Sequence, residues 1–597
     1  MSETIDVKKA SVTDLFGNGK AFVIPEYQRP YAWTEEHVET LFEDLWEFTF
    51  TRGGSKRDGT YFLGSMVSYE REKGTFEIVD GQQRITSLFL LLRAIYTKLT
   101  STIECERSAE ARHFIDTIEP LVWRTDKLNG KVNYKEALLT SCVLNHENNE
   151  GNSILRSILE SGKVSNKLKD RYSQNYLRFL ELYDKHSKEN ALGVYDFIYA
   201  VLNQAILLPI TAGSQDSALD IFSTLNDRGL PLSDADIFKA KIYNYLSDDE
   251  KKGFIKRWQD LDEQATDAGE SIQQLFYYNM FYLRAVDGDT KTSTPGVRKY
   301  YAENKFARLY EPKLLDTLFK ILEIWRVVNR REDIDGLFWT GNMKVRQALD
   351  TLSAYPNEYW KYPVVVYYIC YKDEAAFAEK FLRFLNRLQG ELLGQYLLSP
   401  TINAVKSGIL KLNSAIMKSD LPKFEFTSID LKAVSPRIHT PNRNIVRMLL
   451  MTIAYSYDAQ KDLLQNKWEI EHIFPRSWQG NYSVMGRSKE EINEKIEHIG
   501  NKLPLEKKLN IGAGNGYWEK KKIAYAASNI AMVKEMCEQP DAEWNLDSIV
   551  RRDECVSDKI LSVLKRWRDD YRVDQQTDSP SVEQLAQIEE FRKKGWV

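Results

Sequence analysis

Zinc-type cysteine pairs, a P-loop and any bilayer-length apolar run are all missing from this chain of 597 residues. Its five cysteines, Cys105, Cys142, Cys370, Cys537 and Cys555, stand far apart with no CxxC pair. That spacing argues against a disulfide framework and a cysteine-built zinc site, and it suits a reducing cytoplasm. The opening MSETIDVKKA holds no apolar leader core, and runs such as VVVYYIC at 364–370 are too short to span a bilayer. The expectation is a soluble, cytoplasmic protein with no membrane partner. No GxxxxGK[ST] occurs, so a nucleoside triphosphate would be held by something other than a P-loop. Charge of one sign is also missing: the net charge is -4 and the pI about 6.1. Nucleic acid would therefore be met by a local patch. Histidine is scarce, with seven in the chain.

What is present is an ordinary globular composition, 43% hydrophobic and 28% charged. The length exceeds what one core organises, so several domains are expected. AFVIP (21–25), YFLGSMVSY (61–69), FEIVD (76–80) and AILLPIT (205–211) read as strands. After Thr34, Val38, Leu41, Phe42, Leu45 and Trp46 recur at helical spacing, and from Ile85 so do Leu88, Phe89, Leu92, Ile95 and Leu99. Residues 101–200 read as mostly helical and polar. A helix with Ile221, Phe222 and Leu225 stops at NDRG, where Gly229 suits a C-terminal cap, and SDAD (233–236) opens another. The resulting expectation is an α+β multidomain chain. It has an α/β domain at 1–245 with a helical insertion at about 100–200, a helical connecting domain at 246–435, and a third domain at 436–597. The tail from 574 reads as a linker before a final short helix.

The seam FEIVDGQQRITSLF (76–89) joins a strand to an apolar helix through Gly81, Gln82, Gln83 and Arg84. A helix start offers unpaired N–H groups and partial positive charge, and glycine admits close approach. The two amides add donors, Arg84 can grip phosphate bidentately, and Asp80 could hold Mg²⁺ or a metal-bound water. The pentad alone also reads as a helix N-capped by Asp80 with a solvated polar first turn. IPEYQRPYAW (24–33) again follows a strand; Tyr27, Tyr31 and Trp33 suit packing on the core, which leaves Gln28 and Arg29 unexplained.

In KWEIEHIFPRSW (467–478), Glu471 and His472 end a strand-like run, and HIGNKLPLEKKLN (498–510) follows with Asn501 and Asn510. One-metal phosphodiester hydrolysis needs a neutral imidazole as base and a divalent ion on the scissile phosphate. Carboxylate and amide oxygens suit Mg²⁺, and a further Asn can fix the loop. Residues 501–526 hold six lysines against two glutamates, a local basic excess. The repeated Glu-His at 497–498 and His439 read as structural, and GAGNG (512–516) as a turn.

IPEYQRPYAW, the FLGS strand, VDGQQR and FSTLNDRGLPLSDADIFKA together resemble the N-terminal half of the GmrSD-type restriction proteins, a domain related to the ParB/sulfiredoxin fold. The resemblance covers about residues 10–245. It implies nucleoside triphosphate hydrolysis at Asp80, Gly81, Gln82, Gln83 and Arg84, with Gln28, Arg29, Asn226 and Arg228 as further contacts. Residues 436–572 resemble the HNH nuclease, a ββα-metal fold, found at the C-terminus of the same family. By that resemblance His472 is the general base, Glu471 and Asn510 are metal ligands, and Asn501 orients the site. Lys521 and Lys522 match its lysine-bearing helix, and Arg551 and Arg552 a basic pair; these four would face DNA. Two departures stand out: Asn510 replaces a histidine, and an inserted segment separates His472 from Asn501.

The resemblance implies an NTP-dependent, modification-dependent DNA endonuclease of anti-phage defence, with Mg²⁺ or Mn²⁺ and with GTP, CTP, UTP and ATP undistinguished. Its partner would be modified phage DNA. One HNH site cuts one strand, so a homodimer is one route to a double-strand break. The rivals are a ParB-like, nucleotide-switched DNA-binding regulator with an inactive nuclease half, and a stand-alone NTPase or scaffold.

Overall fold

The four stretches expected as strands lie in one mixed, seven-stranded sheet, as Ala21–Ile24, Tyr61–Glu72, Thr75–Asp80 and Ala205–Ala212. The chain is seen here in a computed structural model that describes residues 6–50, 59–101, 107–126, 128–143, 151–164, 170–191, 193–225, 233–478, 487–539 and 543–572. Asn226, Arg228 and Gly229 lie outside the described residues, as do the tail from 574 and its expected helix. Two units are formed, Met1–Gln259 and Asp260–Val597.

In the first unit the strand order is Asp6–Val7, Ala205–Ala212, Tyr61–Glu72, Thr75–Asp80, Ala21–Ile24 and Leu139–Ser141, with Ala10–Ser11 also paired to Ala205–Ala212. Tyr61–Glu72 and Thr75–Asp80 form an antiparallel hairpin that turns at Gly74, whose φ is +81°. Thr75–Asp80 runs parallel to Ala21–Ile24, and Tyr61–Glu72 parallel to Ala205–Ala212. These directions bring Asp80, the loop after Ile24 and the start of Tyr61–Glu72 to one end of the sheet. From there the helix Gln82–Thr100 departs, buried along nearly its whole length through Ile85, Leu88, Phe89, Leu92 and Ile95. Apolar residues all round a helix mean packing on every side. Glu35–Phe50 buries Val38, Leu41, Phe42 and Leu45, as its spacing predicts.

The 101–200 stretch holds more strand than its sequence suggests. Trp123–Thr125 pairs with Val132–Ala137, and Leu139–Ser141 joins the main sheet beside Ala21–Ile24. Ser233 caps the helix Asp234–Tyr245 as expected, accepting from the Asp236 amide at 3.3 Å.

Among its described residues the second unit is helical apart from one antiparallel pair, Trp468–His472 with Lys502–Glu506. The divide expected at 435 falls inside it. Aromatic rings knit its helices: Phe281 stacks on Tyr362 at 3.7 Å and Tyr367 on Phe384 at 4.2 Å. The helix Leu546–Tyr571 lies against Phe377–Leu398, with Leu564 and Trp567 beside Gly390. VVVYYIC belongs to the buried helix Lys361–Tyr371. Among the described residues no helix is long and apolar enough to cross a membrane.

Gly81 is the strained joint of the first unit, with φ +89° and room for a Cβ only 3.3 Å from the Ser65 carbonyl oxygen. Gly81→Ala should therefore destabilise this unit by about 1–3 kcal/mol, read as a lower urea midpoint at unchanged slope.

Candidate functional site

At the first seam Gly81, not Asp80, is the N-cap residue, and no side chain caps the helix that follows. Gln82 and Gln83 are buried rather than solvated. The Gln83 Oε1 accepts from the Ala32 amide at 2.7 Å and the Trp33 amide at 3.3 Å. Its Nε2 donates to the Pro30 carbonyl at 3.1 Å. Gln28 is buried too, and donates to the Val79 carbonyl at 2.9 Å. Two amides expected on phosphate thus tie the Pro25–Trp33 loop to the strand end. The solvated first turn is corrected by the same bonds, because amides removed from water need partners.

Arg84, Asp80 and Arg29 remain for a ligand. The Arg84 Nη1 donates to the Ser65 carbonyl at 2.9 Å, and its guanidinium lies over Gly64, where a Cβ would come within 2.9 Å of it. Burial pushes the Asp80 carboxyl above its usual range, against the Gly81 amide and the Arg84 and Arg29 charges. Arg29 is exposed. Beside Arg84 opens a cavity of about 400 Å³ whose wall includes Trp33, His37, Tyr61 and Phe62 together with the carboxylates of Glu36 and Asp44. A positively polarised helix start, a guanidinium and aromatic faces share this end of the sheet.

In the second unit, alternation along Trp468–His472 puts Glu469 and Glu471 on one face and His472 on the other. Glu471 is buried; its Oε1 accepts from the Lys521 Nζ at 2.6 Å and the Tyr525 hydroxyl at 2.7 Å. The same ammonium donates to the His472 carbonyl at 2.6 Å. Asn510 donates to the Glu469 Oε2 at 2.8 Å. Of the two residues expected to ligate a divalent ion, Glu471 is therefore engaged with an ammonium that already balances its charge. Among the described residues no three His, Cys, Asp or Glu side chains are grouped for a metal. As paired here, Glu471 does not fit an ion; Asn510 donates through its Nδ2, which leaves its Oδ1 outside that bond.

Asn501 is fully buried. Its Nδ2 donates to the Phe474 carbonyl at 2.9 Å and the Ile496 carbonyl at 3.0 Å. Its Oδ1 accepts from the Phe474 amide at 2.6 Å and the Trp544 indole at 3.3 Å. It holds the turn after His472 and touches no candidate reacting atom. The His472 Nε2 is buried without a hydrogen-bond partner. Burial, then the Arg476 charge, push this imidazole down to about 4, with Glu497 opposing. It is neutral at pH 7.

Lys521 is 0% exposed. Arg552 donates to the Gly500 and Lys502 carbonyls at 2.7 and 3.0 Å. Both residues expected on DNA are engaged within the fold. Lys522 pairs with Glu519 at 2.5 Å, and Arg551 is exposed. Glu497, read from sequence as structural, stands with its Oε2 3.7 Å from the His472 Nε2 and 3.0 Å from the Lys502 Nζ. The longer separation is too great for a hydrogen bond, and a neutral imidazole forms no ion pair there. Its Oε1 lies 2.7 Å from Arg476. Against burial, Lys502 and Arg476 hold its carboxyl down at about 2. No linear spacing announces this meeting; the cross-strand register of His472 with Lys502 makes it. Its neighbour His498 is structural as expected, 2.5 Å from Asp553.

Removing one partner of a buried ion pair leaves a bare charge, at a cost of about 3–5 kcal/mol. Lys521→Met should lower unfolding stability by that order. Adding Glu471→Gln should recover much of it, as a denaturant double-mutant cycle would read.

The chain matches two family models, the N-terminal domain of GmrSD restriction endonuclease over residues 12–243 and the C-terminal domain of GmrSD restriction endonucleases over 427–559. No curated protein matches it. The first match ends within the helix that Ser233 caps and the second spans both strands of the His472 pair. With the two halves in this order on one polypeptide, the chain belongs to the GmrSD-type restriction endonuclease family.

Proposed function

We propose that this restriction endonuclease nicks DNA at His472 and binds a nucleoside triphosphate at the Asp80–Arg84 seam. Its substrate would be modified phage DNA. The observation that carries the nuclease reading is the His472 Nε2, buried, unpartnered and neutral, on a turn pinned by Asn501. Such an atom can take a proton from water as that water attacks phosphorus, while the P–O bond to the leaving strand breaks. Lys502 and Arg476 supply positive charge on that side of the strand. No step is assigned to Mg²⁺ or Mn²⁺, because Lys521 already balances Glu471.

At the seam, the Arg84 guanidinium and the open helix start suit phosphate oxygens, and the Trp33 and Phe62 faces suit a base. One observation favours a second reading, a nucleotide-switched DNA-binding regulator: Glu471 is occupied by Lys521 rather than free for an ion.

Nicking of supercoiled plasmid separates the two. His472→Ala should lower the nicking rate by about 10²–10⁴; equal rates in both proteins would discard the nuclease reading. Because the imidazole is pushed down to about 4, the base form persists as pH falls from 7 to 5.5. The rate should stay level across that window, whereas an ordinary histidine, with a pKa of about 6.5, would lose most of its base form. Arg84→Ala should weaken triphosphate binding by about tenfold to a hundredfold through the lost charge-assisted bonds. Calorimetric titration with each of the four triphosphates would show it, and unchanged affinity for all of them would remove the seam as a phosphate site.

A further inference from the structure

We propose that Arg476, Lys502 and the His472 imidazole form a seat for one phosphodiester group of the DNA, which Glu497 fills while no DNA is bound. The inference rests on the nuclease reading above and names the substrate contact that reading lacks.

Three nitrogen groups converge on this one carboxylate. The Glu497 Oε1 is 2.8 Å from the Arg476 Nε and 2.7 Å from its Nη2, so two N–H groups of the guanidinium point at one oxygen. The Oε2 is 3.0 Å from the Lys502 Nζ and 3.7 Å from the His472 Nε2. A carboxylate and a phosphodiester each present two oxygens sharing one negative charge, and a guanidinium accepts either.

The helix does not explain an acid at this position. Glu497 is the C-cap residue of Lys489–Ile496, where the helix dipole disfavours negative charge. The cations explain it. Lys502 is buried, and its ammonium also donates to the Glu497 main-chain carbonyl at 2.6 Å. It therefore stays in place if the Glu497 side chain swings away. The Arg476 and Glu497 side chains are 65% and 49% exposed, so an incoming strand can reach both. A phosphate entering here exchanges one anion for another and lands beside the idle Nε2. The seat also replaces the expected DNA contacts at Lys521 and Arg552, which the fold uses internally.

The test uses the full chain with a labelled duplex for binding and supercoiled plasmid for nicking. Glu497→Gln keeps the shape and removes the charge. It should bind duplex about fivefold to tenfold more tightly at low salt and nick faster at limiting DNA. Arg476→Gln, at an exposed position, should bind more weakly and reduce the log–log salt slope by about 0.9. The double variant should fall between the two single variants, because Lys502 is freed while the guanidinium is lost. Unchanged affinity and rate in a folded Glu497→Gln would overturn the seat. So would a folded Glu497→Gln that no longer nicks, since Glu497 would then serve His472 itself. If His472→Ala nicks like the parent, the nuclease reading falls and the seat with it. If His472→Ala is inert while Glu497→Gln matches the parent in both assays, only the seat falls.

Discussion

Asn501 has two N–H groups to donate and an oxygen with two acceptor positions, and all four are used. The partners belong to separate pieces of chain: the turn two residues after His472, the helix end one residue before Glu497, and Trp544. A fully buried amide cannot leave such positions empty without a cost of about 1–3 kcal/mol each, so the three pieces are fixed relative to one another. That is why His472 and Glu497, 25 positions apart in the sequence, stand 3.7 Å apart. The long C-terminal helix braces the same turn. Asp553 accepts from the Gly500 amide at 2.7 Å, and Arg552 donates to the carbonyls on either side of Asn501. A Cβ on Gly500 would fall 2.3 Å from the Ile549 carbonyl oxygen, so only glycine lets that helix come close enough.

The same rule sorts the N-terminal motif. Gln83 and Gln28 are buried, and their amides find main-chain partners in the loop and the strand end they join. They shape the seam and leave little to offer a ligand. Arg84 is different: a guanidinium has five N–H groups, and the Ser65 carbonyl engages one nitrogen of it. Asp80 lies near the Arg84 and Arg29 charges, yet burial outweighs them and raises its carboxyl, so its own anion is disfavoured there.

The sheet of the first unit was legible because four of its strands are apolar runs that no helical period fits. Leu139–Ser141 was not: three residues show no alternation, and the strand exists because Ala21–Ile24 offers an edge to pair with. Positions were more legible than roles. Lys521 reads as part of a basic run, but it lies three residues after Trp518 and four before Tyr525, on the helix face that turns inward. That periodicity was available in the sequence, and the charge run hid it. Arg552 likewise neighbours Asp553, which shares the buried face of Ile549, Val556 and Ile560. Glu497 had no such signal. Its place depends on a strand register and on the bonds of Asn501, neither of which is written in local sequence.

The Glu471–Lys521 pair then decides how much of the site is built without an ion. A carboxylate buried to 5% exposure needs a counter-charge, and Lys521 supplies one that is itself wholly buried. That ammonium also donates to the His472 carbonyl, which ties the strand end to the lysine-bearing helix. A nuclease and a DNA-binding regulator would both need this frame: the pinned turn, the braced helix and the internal lysine. They differ at one atom. The frame alone does not require His472 to be histidine, since the imidazole Nε2 bonds to nothing within it. A buried basic nitrogen with no partner costs stability and returns none, so the hydrogen bonds of this frame give no reason for an imidazole nitrogen at that atom.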